Sequence, residues 1–262
     1  MHGEANKVIK IYYFSGTGNT LWSAEKIGEK SGSEYKLINI GIEAYKNTIT
    51  LEADAIVFIF PAYAYGAPVI VRRFIKRAVL KTAHISVFTT YGTSPGGALA
   101  EIARILNKKN AAKAYYGRIP AVENYTAMFG PQKEKTIKKR LEIQKLATDK
   151  AADAVAQRLS NRVFTFRQLS VCVTMLFLLG IKIFYRMYRV SDTCDGCGTC
   201  EQICPVSAIS IKNQKPSFSK RCEHCQGCLH WCPKSAITFG RVKPQTPRYH
   251  HPEISLEKIS RK

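Results

Sequence analysis

The chain has 262 residues, 45% of them hydrophobic, which is enough for a packed core and long for one domain, so two domains are expected. Lys and Arg number 40 against 19 Asp and Glu, a formal charge of +21 that could attract nucleic acid, anionic lipid or an acidic protein. The basic residues are spread out, with local concentrations at Arg72-Arg73 with Lys76-Arg77 and at Lys138-Lys139-Arg140. No nucleic-acid recognition module accompanies them, so nucleic acid is set aside as a partner.

Met1 to Lys7 is polar, unlike a signal peptide, and runs straight into a β-rich segment, Val8 to Phe14. Ser15-Gly16-Thr17-Gly18-Asn19-Thr20 follows at once, and Leu21 to Lys30 has helical spacing. Small residues there let backbone amides converge at a helix N-terminus, where the dipole favours an anion. Hydroxyls of Ser15, Thr17 and Thr20 and the amide of Asn19 can add hydrogen bonds to phosphate oxygens. The loop is neither a dinucleotide fingerprint nor a P-loop, and no lysine stands where an ATP site needs one. The pattern [ST]-x-T-G-x-T resembles the phosphate-binding loop of flavodoxins, which holds FMN.

Further strands are expected at Tyr35 to Ile40, Ala55 to Phe60, His84 to Thr90 and Lys113 to Ile119, with helices at Val69 to Leu80 and Ala98 to Asn107. The unbroken apolar run Ala55 to Phe60 suits the centre of a parallel sheet covered on both faces. Strands alternating with helices make an α/β, doubly wound parallel five-stranded sheet the natural solution, with ligands beyond the carboxyl ends of the strands. Two unusual loops, Pro61 to Pro68 and Thr90 to Gly97, join Ser15 to Thr20 at those ends. The likeness to flavodoxins then extends over Val8 to Ile119 in element order. It implies FMN contacts from Pro61, Ala62, Tyr63, Gly66, Thr90, Tyr91, Gly92, Gly96 and Gly97 as well. Tyrosines offer a flavin aromatic faces, and Gly66 or Gly92 would let a peptide reorient beside it.

Glu123 to Pro131 reads as a connecting loop and Lys133 to Leu159 as a long charged helix covering the sheet. Ser170 to Ile181 is the most apolar stretch, with Arg167, Lys182, Arg186 and Arg189 around it. It is short of the roughly 20 residues of a membrane span. It reads as a connector buried between domains or, less favoured, as an interfacial element at an anionic membrane. Cys172 within it reads as a small hydrophobe.

Eight of the nine cysteines form two runs, Cys194, Cys197, Cys200, Cys204 and Cys222, Cys225, Cys228, Cys232, each C-x2-C-x2-C-x3-C-P. The runs repeat at a period of 28, down to a shared Ser-Ala-Ile after each Cys-Pro. Structural zinc needs one pair of C-x2-C units, and a disulfide framework needs an oxidising compartment that nothing else suggests. The spacing resembles bacterial two-cluster ferredoxins. That resemblance implies a small α+β domain with two [4Fe–4S] clusters, one held by Cys194, Cys197, Cys200 and Cys232, the other by Cys222, Cys225, Cys228 and Cys204. His224 and His230 are then surface or packing residues. The tail, Val242 to Lys262, is expected to lie ordered on the first domain.

The whole chain resembles flavodoxin–ferredoxin fusions, over roughly 170 residues by pattern. The expected division is 1–165 flavodoxin-like, 166–189 connector, 190–241 two-cluster domain and 242–262 tail. The implied function is electron transfer between FMN and two clusters in one chain, in the cytoplasm. The alternative is a flavin-dependent reductase of a small acceptor such as a quinone, nitro or unsaturated compound. Flavodoxins and ferredoxins are usually acidic and this chain is basic, so its redox partner is expected to be a different, acidic protein.

Overall fold

The computed structural model describes residues 8–46, 49–111, 113–163 and 183–260. The expected apolar connector 170–181 and Cys172 lie outside the described residues.

Alternation with a period of two builds the central sheet. Strands β1 (Val8–Tyr13), β2 (Glu34–Asn39), β4 (Ala55–Pro61), β6 (His84–Tyr91) and β7 (Ala114–Pro120) pair in the order β2-β1-β4-β6-β7, all parallel. This is the flavodoxin-like doubly wound order. Tyr12, Phe14, Ile56, Phe58, Phe60, Ile85 and Val87 face one side, while Ile9, Ile11, Tyr13, Val57, Ile59 and Phe88 face the other. The apolar run of β4 lies at the centre, with Ile56 to Phe60 all at 0% exposure.

Helices α3 (Val69–Arg77) and α4 (Ala98–Lys108) cover the first face through Ile70, Val71, Phe74, Ile102 and Leu106. Helices α1 (Asn19–Lys30) and α6 (Glu134–Ala156) pack together on the other, and a single turn, α5 (Thr126–Phe129), stands between β7 and α6. Two features depart from expectation. Helix α3 stops at Arg77 because Val79–Lys81 (β5) pairs in parallel with Thr50–Glu52 (β3), a small sheet outside the main one. The chain also forms a short helix, α2 (Ile40–Glu43), where Asn39 Oδ1 accepts from the Gly41 N–H at 2.9 Å.

The cysteine-rich half is a small α+β unit of internal pseudo-symmetry. Strands β9 (Ile209–Lys212) and β10 (Lys215–Phe218) form one antiparallel ribbon. Strand β11 (Ile237–Phe239) forms another with β8 (Tyr188–Val190), which begins two residues ahead of the boundary expected at 190. One helical turn carries the third cysteine of each run, Thr199–Gln202 with Cys200 and Gly227–His230 with Cys228.

The two halves share their cores. Cys200, Cys204, Val206, Cys228 and Leu229 belong to the same apolar cluster as Phe58 and Phe74. Ile203 and Trp231 belong to the cluster of Ile11, Val57 and Ile59 on the opposite face of the sheet. At one seam a side chain on Gly41 would collide with the Pro205 carbonyl, and Tyr45 Oη donates to the Val206 carbonyl at 3.1 Å. Gly41→Val should therefore lower stability by about 1–3 kcal/mol through overpacking against backbone that has no room to yield. Anaerobic denaturant unfolding of the two proteins checks this.

Candidate functional site

Four loops at the carboxyl ends of β1, β4, β6 and β7 surround a cavity of about 490 Å³, a volume within the usual range for cofactor sites. The first loop brings Ser15, Gly16, Thr17, Asn19 and Thr20 to its wall. Gly18, at φ +96°, turns the chain into α1, so the first amides of that helix are left without intrahelical acceptors. Among these side chains, Thr20 Oγ1 meets Thr90 Oγ1 at 2.7 Å, and Thr17 Oγ1 accepts from Asn124 Nδ2 at 2.5 Å. The Asn19 carboxamide donates to the Val122 carbonyl at 3.1 Å and accepts from Tyr249 Oη at 2.6 Å. Its side chain therefore clamps three segments together, and its backbone amide is the group left for an anion.

The second and third loops bring Pro61, Ala62, Tyr63, Tyr65, Thr90, Tyr91 and Gly92 to the wall. Four expected contacts stand behind it. Gly18 packs outward, where a Cβ would meet His251 and Ile254. Gly66 exchanges both backbone hydrogen bonds with Tyr63, at 2.8 and 2.9 Å, and the left-handed residues of that turn are Ala64 (φ 44°) and Tyr65 (φ 66°). Gly96 lies against Tyr65 with no room for a Cβ, and the Gly97 N–H donates to the Tyr65 carbonyl at 2.8 Å. These last two shape the turn that presents Tyr65.

The fourth loop, expected as a plain connection, instead lines the cavity with Ala121, Val122, Glu123, Asn124, Tyr125, Met128 and Phe129. The signal that could have found it is its place after the fifth strand of the same sheet.

The remaining wall comes from Phe184 and from the second cysteine run: His224, Cys225 and Gln226. Contact with the first loop is direct. A Cβ on Gly16 would lie 2.5 Å from the Cys225 carbonyl oxygen and 3.2 Å from its Sγ. Trp231 Nε1 donates to the Gly16 carbonyl at 3.1 Å. His230 accepts at Nδ1 from the Tyr249 N–H at 3.0 Å, so its proton sits on Nε2 and is donated to the Asn124 carbonyl at 2.7 Å. Burial pushes Glu223 up to about 7, against the lowering effect of the Ile70 and Val69 amides and of Arg73 and Arg72. His224 stands among the rings of Tyr125, Phe184, Tyr188 and Phe239, at 4.5 to 5.7 Å between centroids. Tyr125 Oη lies 3.0 Å from its Nε2 and Tyr188 Oη 3.3 Å from its Nδ1.

The two runs differ where their backbones agree. Gly196 and Gly198 of the first run have φ of 73° and 77°; the equivalent residues of the second are His224 and Gln226, at 57° and 60°. A side chain held in that conformation costs about 1–3 kcal/mol. Gln226 Oε1 is also buried without a hydrogen-bond partner.

All eight cysteines of the two runs are free thiols. Cys194, Cys197, Cys200 and Cys232 line one cavity together. Burial pushes Cys200 up to about 12, with Cys232, Cys197 and Cys194 as the neighbouring thiols that add to it. Burial likewise raises Cys225, whose neighbours are Cys204 and Cys222. Cys232 of the second run thus joins three cysteines of the first, and Cys204 of the first run lies beside cysteines of the second. Among the described residues no three His, Cys, Asp or Glu side chains converge as a single metal ion would require; the Cys194 set surrounds a volume instead. Buried thiols ionise only with strong compensating charge, which iron supplies, so the donor set fits iron–sulfur clusters. In each run the N–H four residues after the last cysteine donates to its sulfur, Ala208 to Cys204 at 3.2 Å and Ala236 to Cys232 at 3.3 Å. The shared Ser-Ala-Ile provides this turn, with Ser207 and Ser235 at φ of 50° and 48°.

The 4Fe-4S dicluster domain family matches residues 183–237. No curated protein matches the chain. Similar solved structures include a flavodoxin from the domain Archaea, at 18% identity and TM-score 0.35, covering 56% of this chain and 98% of that one. The Streptococcus pneumonia TIGR4 flavodoxin has 17% identity and TM-score 0.38, covering 58% and 99%. The two-electron reduced Megasphaera elsdenii flavodoxin has 17% identity and TM-score 0.36, covering 57% and 98%. The fold assignment rests on the strand order rather than on these overlaps. The chain joins a flavodoxin-like fold to a segment that matches a 4Fe–4S dicluster domain, an arrangement that supports an electron-transfer or redox function. No helix among the described residues is long and apolar enough to cross a membrane.

The tail closes the outside of the first loop. The His251 N–H donates to the Thr17 carbonyl at 2.8 Å, and its ring stacks on Trp22 at 4.9 Å. Burial lowers His251 from 6.5 to about 4, so folding favours its neutral form. That contribution is full above pH 6.5 and is lost as pH falls toward 4, where only the unfolded chain gains the proton freely. The pH dependence of unfolding should flatten over this window in His251→Phe, which keeps an aromatic stack on Trp22.

Proposed function

We propose that the chain is an intramolecular electron relay between FMN, held in the four-loop cavity, and two [4Fe–4S] clusters held by the crossed cysteine sets. The observation that carries this reading is Cys225, at once a member of a cysteine set and part of the cavity wall, against Gly16. When bound, FMN exchanges two electrons and each cluster one, so their fusion joins one- and two-electron carriers at high effective concentration.

The residues have distinct tasks. Amides at Gly16, Thr17, Asn19 and Thr20 hold the phosphate at the α1 N-terminus, without a basic side chain in the loop. Tyr63, Tyr65 and Tyr91 provide aromatic surface for the ring system. Ile203, Val206, Leu229, Trp231 and Ile237, all buried, exclude water from the cysteine sets. Cys197 is exposed whereas Cys228 is buried, so the Cys194 set faces an external protein and the Cys222 set faces the flavin.

Anaerobic reconstitution should yield about eight irons and one FMN per chain; iron without flavin would remove the cavity half of the reading. Air or chelator should destroy the Cys194-set cluster first, leaving one cluster signal by EPR, because its ligand Cys197 meets solvent. The charge of +21 suits an acidic redox protein. Reduction rates with such a carrier should fall steeply as salt is raised above about 0.1 M, where the screening length drops to about 10 Å.

A second reading, reduction of a small quinone, nitro or unsaturated acceptor, has the Tyr125–His224 pair at the cavity wall in its favour, a source of an O–H beside the ring site. Steady turnover of such an acceptor without a protein carrier would select it over the relay.

A further inference from the structure

The second cysteine run carries two side chains that its own turn does not need. In the first run the same backbone conformation is met by Gly196 and Gly198. In the second it is imposed on His224 and Gln226, both buried at 3% and 2% exposure and both in the cavity wall. Strained backbone in a residue that glycine would relieve points to a task for the side chain. Neither side chain is a member of the cysteine sets. They hydrogen-bond to Tyr125, which also lines the cavity, to Tyr188 and to each other, at 3.0 to 3.3 Å.

We propose that His224 and Gln226 are ligand-contact residues of the flavin cavity, supplied by the cluster module, so that flavin affinity depends on the folded Cys222 loop. The proposal rests on the reading that FMN occupies the cavity. Four loops of the flavodoxin-like half form most of the wall, and this loop with Phe184 forms the remainder; a flavodoxin-like half alone would present an incomplete site. By linkage, whatever holds the Cys222 loop in place strengthens flavin binding, and bound flavin stabilises that loop in return. The Cys194 loop has no residue in the cavity wall and is outside this coupling.

The test is FMN affinity by fluorescence quenching under anaerobic conditions, on the full chain with its clusters assembled. His224→Gly with Gln226→Gly gives the second run the glycine pattern of the first. It should keep its iron and its EPR signals while the FMN Kd rises about tenfold, the scale of one lost polar contact. Lys234→Ala, an exposed change that removes the ion pair to Asp195 of the other loop, should leave the FMN Kd within about twofold of the unaltered chain, since that loop makes no part of the wall. An unchanged Kd in the double-glycine protein overturns the proposal while leaving the relay reading in place. Absence of FMN binding by the unaltered chain overturns the relay reading itself. Should the double-glycine protein lose iron, Gln226→Ala replaces it. Loss of iron there too overturns the proposal, because the side chains would then serve the cluster loop and not the cavity.

Discussion

Everything at the site depends on how closely the second cysteine run approaches the first loop of the sheet. Gly16 has no side chain, and the space a Cβ would need is filled by the carbonyl and side chain of Cys225. Trp231 secures that approach with a hydrogen bond to the Gly16 carbonyl, and Gly227 lies close to the same oxygen. The two halves of the chain therefore share a boundary at the place where their cofactor-binding chemistry is concentrated. A glycine in a phosphate-type loop usually admits a ligand to the backbone. Here Gly16 also admits another part of the protein.

Polar burial reinforces the same boundary. Asn19, His230, Tyr249 and Gln144 each link segments far apart in the chain, with Gln144 Nε2 donating to the Asn19 carbonyl and to Ser23 Oγ. A buried group left unpaired costs about 1–3 kcal/mol, so such links fix the relative position of segments more narrowly than apolar contact does. The sheet sets the loops roughly, and these bonds set them finely.

The sheet and the cysteine sets were legible because their signals are local: β4 reads as a covered strand from its own residues, and each cysteine run carries its pattern within 12 positions. Most of the cavity wall followed from the loops after the first, third and fourth main strands. What escaped depends on distant partners. The end of α3 is decided by pairing of Val79–Lys81 with Thr50–Glu52, and no helix signal in Val79 or Leu80 records that competition. Gly18 and Gly66 carried loop motifs, yet local backbone geometry turned them away from the cavity. The contact of residue 16 with residue 225 has no trace in either motif read alone.

The tail bears on the order in which the molecule is made. Synthesis reaches Thr17 well before His251, and the Thr17 carbonyl can accept from His251 only after the intervening chain has followed. Asn19 waits for Tyr249 across 230 positions. At about 5–20 residues per second, that interval is roughly ten to fifty seconds. Throughout it the nascent sheet must carry its loop bare on the outer side, and completion of that loop coincides with completion of the cysteine-rich half.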